Sequence, residues 1–223
     1  VTFSKALNNL YPGYPFEFTV RITYTLNRTS YFNVHIEAQN IGDAASSEAL
    51  PFYAGWHPYF NVENVSQSLI ELDSNCNYVH LDCGSPPQTA PLIPTGYSEP
   101  WTLFNGKNAI GVAVNNTQGM PTYYDDAFRV VACQDENGRD DGQMAVVRNR
   151  IIDPLRNNTF VLWQESKRFA FNQLYTGLAY QTGEQAIAFE PQSASTNAYN
   201  NGDHLTVLYP GQVFRASFGF YVE

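Results

Sequence analysis

Cationic side chains are scarce: the 223 residues carry 12 Lys plus Arg against 21 Asp plus Glu, a net charge of −9. No basic cluster appears, so the chain lacks the means to hold a phosphate backbone, which excludes nucleic acid as a partner. Long apolar runs are missing too. None approaches the roughly 18 residues that a membrane-spanning helix needs, so no membrane span is expected. No basic, apolar leader precedes the first patterned segment, and the sequence starts at Val1 without methionine, as expected of a processed chain or a fragment.

Cysteine is sparse. Cys76, Cys83 and Cys133 cannot all pair within one chain, and there is no CxxC pair or histidine cluster to hold zinc. No metal and no cofactor are expected. Cys76 and Cys83 are the pair that adjacent strands could bridge if their Cβ atoms approach. Strong helical periodicity, internal repeats and linker-like tracts are also missing, so residues 1–223 read as a single domain.

Aromatic residues, by contrast, are plentiful. Fifteen Tyr and fifteen Phe, within a hydrophobic content of 43%, supply a large core and suit contact with neutral, polar ligands. "FEFTVRITYTL" (16–26) places Phe16, Phe18, Val20, Ile22, Tyr24 and Leu26 on one face, the period of a half-buried strand. "YFNVHIEAQN" (31–40) does the same with Phe32, Val34, Ile36 and Ala38. Its Asn33, His35, Glu37 and Gln39 face reads as solvated, and "NRTS" between the two strands predicts a β-hairpin. Near the end, Pro210-Gly211 predicts a type II turn before a strand carrying Phe214, Ala216, Phe218, Phe220 and Val222. "CQDENGRDDGQ" (133–143) reads as a solvated loop whose acidic spacing does not match a calcium-binding hand. The fold class that follows is all-β, a large antiparallel β-sandwich.

Sequons occur at Asn27, Asn64, Asn115 and Asn157, whereas chance gives roughly two or three such triplets in a chain of this composition. They lead us to expect an extracellular or secreted glycoprotein, with a cytoplasmic location as the alternative.

Two stretches stand out chemically. In "AGWHPYFNV" (54–62), His57 lies among Trp56, Tyr59 and Phe60, which could form a stacking wall. In "AIAFEPQS" (186–193), Glu190 follows an apolar run and precedes Pro191, and a carboxylate at a buried strand end is costly unless paired or used. An acid and a base with separated pKa values are what proton transfer near neutrality requires. "YYDDAFRV" (123–130) adds Asp125 and Asp126, and "FNQLYTG" (171–177) adds Gln173 and Tyr175.

Taken in order, "PGYPFEFTVRITYTL", "GWHPYFNV", "PLIPTG", "DDAF", "FNQLYTG" and "FEPQSASTNAYNNGDHLTVLYPGQVF" resemble the aldose 1-epimerase (galactose mutarotase) family along essentially the whole chain. The resemblance implies a mutarotase-like supersandwich that interconverts the α and β anomers of a hexose without a cofactor. It implies Glu190 as general base and His57 as general acid, Asp125 as the residue holding sugar hydroxyls, with Asp126 as fallback. Trp56, Tyr59, Gln173, Tyr175 and Gln192 are the further substrate-binding candidates. His80 and His204 read as ordinary strand or turn residues. The family's N-terminal third has no counterpart here, which implies an incomplete sandwich finished by a partner chain or by self-assembly. An extracellular carbohydrate-binding or structural glycoprotein of the same fold, without catalysis, is the alternative function.

Overall fold

The computed structural model describes residues 1–8, 12–28, 31–45, 48–82, 93–101, 110–111, 114–115, 121–122, 124–134, 146–178 and 185–223. Among them are strands β1 (Thr2–Asn8), β2 (Glu17–Leu26), β3 (Phe32–Asn40), β4 (Leu50–Phe52), β5 (Tyr59–Phe60) and β6 (Leu69–Glu71). There follow β7 (Cys76–Leu81), β8 (Ser98–Trp101), β9 (Ile110–Gly111), β10 (Val114–Asn115), β11 (Pro121–Thr122) and β12 (Asp125–Cys133). The rest are β13 (Val146–Asp153), β14 (Asn158–Glu165), β15 (Phe171–Leu178), β16 (Gln185–Gln192), the short helix α1 (Ala198–Asn201), β17 (Thr206–Leu208) and β18 (Val213–Val222).

Eight strands form one antiparallel sheet in the order β1-β2-β3-β18-β14-β13-β6-β9, and six form another in the order β5-β16-β15-β12-β7-β8. The two layers meet through apolar side chains that alternate along their strands. Ile70, Val147, Ile151 and Leu162 of the larger sheet pack with Phe128, Leu174, Ile187 and Phe189 of the smaller one. Each fully buried side chain of this size contributes about 1.5–3 kcal/mol. A second cluster joins Phe18, Val34, Ile36, Phe214 and Phe218 of the larger sheet to Leu50 and Phe52 of β4 and Leu208 of β17.

The hairpin expected between residues 16 and 40 is present as β2 and β3, paired from Phe18↔Asn40 to Leu26↔Phe32. The second face of β3 is half-buried rather than solvated. β3 is an interior strand, so His35 bonds Ser217 at 2.9 Å and Glu37 takes the Arg215 guanidinium at 2.8 Å across the β3–β18 ladder. Gly211 adopts φ 82°, as a Pro-Gly turn requires.

The expected Cys76–Cys83 bridge is corrected: Cys76 is bonded to Cys133. The cause lies in the register of β7 and β12. Val130 pairs with Tyr78, but a bulge at Val131 shifts the ladder by one residue, so Cys133 rather than Ala132 stands opposite Cys76. Cys83 and the acidic loop at 135–143 lie outside the described residues. Asn27 and Asn157 are exposed, Asn64 is half-buried, and the Asn115 side chain is outside the described residues.

Candidate active site

The six-stranded sheet turns one face to the core and the other to a cleft, and strand alternation sorts the residues between them. On β16, Ile187 and Phe189 enter the core, so Ala188, Glu190 and Gln192 face the cleft. Gln173 stands directly opposite Glu190, Tyr175 opposite Ala188, and Asp125 opposite Tyr175. Ala188 also pairs with Tyr59, so a single ladder row runs Tyr59, Ala188, Tyr175, Asp125 across four strands.

β5 pairs with β16 only as far as Ala188. Beyond that point the outer neighbour of β16 is the strap preceding β5. Trp56 donates its backbone N–H to the Pro191 carbonyl at 3.1 Å, Gly55 bridges Gln192, and Ala54 and Ser193 exchange hydrogen bonds. Trp56 does not line the cleft. Its ring is held in the second core against Phe32, Phe218 and Phe220, with centroids at 5.4–6.2 Å. Fixing Trp56 in this way carries the next residue over the sheet: His57 Nε2 lies 3.1 Å from Glu190 Oε1.

The resulting cleft of about 320 Å³ is lined by His57, Tyr59, Asp125, Gln173, Tyr175, Glu190, Gln192 and Thr196. Seven of these eight are residues the sequence had singled out. Thr196 was missed, although it lies within the quoted block after Glu190. So was Tyr53, which donates its hydroxyl to Gln192 Oε1 at 2.7 Å from behind the lining. Alternation sends the adjacent acids to different partners. Asp125 faces the cleft and accepts from Gln173 Nε2 at 2.6 Å, whereas Asp126 bonds His80 at 2.9 Å. His204 is in a turn at φ 57°, bonded to Asp203.

Electrostatics follow from burial. Glu190 is only 8% exposed, and desolvation, helped by the Asp125 charge, pushes its carboxyl up to about 7 against an opposing hydrogen bond from Gln192. Asp125 is also raised, first by burial and then by Asp126; the Gln173 bond and His57 work in the other direction. A carboxyl poised near neutrality can both take and return a proton. Among the described residues, no group of three His, Cys, Asp or Glu side chains is placed to hold a metal.

The sequence profile of the family described as aldose 1-epimerase matches residues 1–221. The chain belongs to the aldose 1-epimerase family. The uncharacterized protein YihR of Escherichia coli (strain K12) is 27% identical over 214 residues, which cover 94% of this chain and 57% of that protein. A solved aldose epimerase homologue from C. elegans superposes with a TM-score of 0.73 at 15% identity, over all of this chain and 65% of that one. Slr1438 of Synechocystis sp. PCC 6803 gives 0.65 at 21% identity, over all of this chain and 61% of its own. These structures share the fold, and this chain spans less than two thirds of each.

Proposed function

We propose that this aldose 1-epimerase family member interconverts the anomers of a free hexose, with Glu190 as general base and His57 as general acid. The 3.1 Å approach of His57 Nε2 to Glu190 Oε1 carries the reading. The hydroxyl proton to be removed and the ring oxygen to be protonated belong to oxygens on one carbon. Acid and base must therefore converge on that carbon, in contrast to the roughly 5–9.5 Å separation of a glycosidase's carboxyls. A sugar bound between them replaces their mutual contact.

Ionised Glu190 takes the proton of the anomeric hydroxyl, the C1–O5 electron pair leaves to the ring oxygen, and protonated His57 supplies that oxygen's proton. The open aldehyde rotates about C1–C2 and closes on its other face, with both protons returned. Asp125, oriented by Gln173, accepts hydrogen bonds from sugar hydroxyls, while Tyr59 and Tyr175, edge to face at 6.5 Å, offer apolar surface to the ring. Polarimetry on freshly dissolved α-glucose and α-galactose tests the reading. Anomer exchange faster than the spontaneous rate is expected; exchange at the spontaneous rate with folded protein contradicts it.

The Cys76–Cys133 disulfide and the exposed sequon residues Asn27 and Asn157 favour, as a second reading, an oxidising extracytoplasmic setting for this fold. The intact mass of the native chain, before and after glycosidase, decides whether those asparagines carry glycans.

A further inference from the structure

Tyr53 lies four residues before His57, and its side chain serves the opposite partner of the pair. The half-buried hydroxyl donates to Gln192 Oε1 at 2.7 Å. Gln192 is two residues beyond Glu190 on the same face of β16, both line the cleft, and its amide opposes the upward push on the Glu190 carboxyl. A side-chain amide has one acceptor end and one donor end. With Oε1 committed to Tyr53, the NH2 end is left for Glu190; the reversed amide would set an acceptor oxygen against the carboxylate.

The surroundings hold the two groups together. Gly55 bridges Gln192, and a Cβ added at Gly55 would stand 3.5 Å from Gln192 Cγ and 3.6 Å from the Tyr53 hydroxyl, so the three are in close packing. The Tyr199 ring lies 6.5 Å from that of Tyr53. Burial, with the charge of Glu190 next, pushes the Tyr53 phenol up to about 12, so it stays a donor at any pH the cleft meets.

We propose that Tyr53 is a positioning residue for the base: by holding Gln192 Oε1 it fixes the amide with its NH2 end toward Glu190, keeping the carboxylate aimed at His57. The consequence for rate rests on the anomerase reading; the coupling itself does not. The titratable groups facing Glu190 are His57 and Tyr53 from the strap, Asp125 from β12, and the cleft-lining Tyr59 and Tyr175.

The test is an NMR titration of the Glu190 side-chain carboxyl, with 13C-labelled glutamate, in wild type, Tyr53→Phe, Gln192→Leu and the double variant. Tyr53→Phe removes one oxygen and leaves the ring packing in place. The Glu190 midpoint is expected to rise by about half a pH unit to one unit in Tyr53→Phe, as a stabilising bond to the ionised form is weakened. It should rise at least as far in Gln192→Leu, with nothing added in the double variant. In the anomer-exchange assay the acid limb of kcat/KM moves with it, and kcat near pH 6.5 falls about 3–10-fold with KM held. An unchanged Glu190 midpoint in Tyr53→Phe overturns the proposal, as does a Tyr53→Phe shift that persists when Gln192 is already leucine. If wild type shows no anomer exchange, the anomerase reading fails, and the titration still decides the role of Tyr53.

Discussion

Gln173 faces Glu190 across the β15–β16 ladder and donates to Asp125 at 2.6 Å, so one amide on a central strand stands between the two cleft carboxyls. The two carboxyls are coupled through this arrangement, since the Asp125 charge raises Glu190. Asp125→Asn is expected to raise KM about tenfold or more through the loss of charge-assisted bonds to sugar hydroxyls. It should also move the acid limb of kcat/KM to lower pH, because the ionised base no longer faces a second negative charge. A pH profile of wild type beside the variant checks both effects.

Stability should depend on pH through the same carboxyl. Glu190 titrates near 4.5 in the unfolded chain and about 7 in the folded one. The native state binds more protons across that window, so the contribution of Glu190 is fully present below about 4.5 and is lost as pH rises through 7. Glu190→Gln, which removes the buried charge, should be more stable than wild type at pH 8 by about 1–3 kcal/mol and close to it at pH 4.5. Denaturant unfolding at the two pH values checks the sign; an equal difference at both contradicts it.

The Cys76–Cys133 bridge closes a long loop, with its ends 57 residues apart in sequence. Replacing both residues with alanine should destabilise the protein by about 2–4 kcal/mol. Thiol counting on the denatured, unreduced wild type should find one free group per chain, at Cys83. Peptide mapping that joins Cys76 to Cys83 would contradict the assigned register.

Gly219 lies on β18 where the Phe32 backbone of β3 and the Trp163 side chain of β14 close in. A Cβ there would run into the Phe32 carbonyl oxygen and stand 2.9 Å from Trp163 Nε1. The nearer obstacle is backbone, which cannot swing away, so Gly219→Ala should cost about 3 kcal/mol by overpacking. Thermal unfolding of Gly219→Ala measures it, and a variant as stable as wild type would refute the close approach.

What the sequence disclosed was what local alternation records. β2, β3 and β18 were legible because each buries one face, and Glu190 stood out because an apolar run led into it. The His57–Glu190 pairing became legible only through the family resemblance, since 133 positions separate the two and no local period spans that gap. Register was hidden for the same reason: the bulge at Val131 sets Cys133 rather than Ala132 opposite Cys76, and nothing in "FRVVAC" announces it. Trp56 looked like a sugar platform because it adjoins His57, yet neighbours on an extended strap point to opposite sides, and its ring went to the core. Tyr53 was passed over for the converse reason, its partner being the end of a strand far along the chain.

The most direct measurement is anomer exchange on α-glucose and α-galactose by polarimetry, for wild type, His57→Asn, Glu190→Gln and the double variant. Acid and base acting on one hemiacetal carbon work as a unit, so each single change should reduce the acceleration about 10²–10⁴-fold, and the double change should cost little beyond the worse single one. Acceleration that survives both substitutions would contradict the assignment of His57 and Glu190.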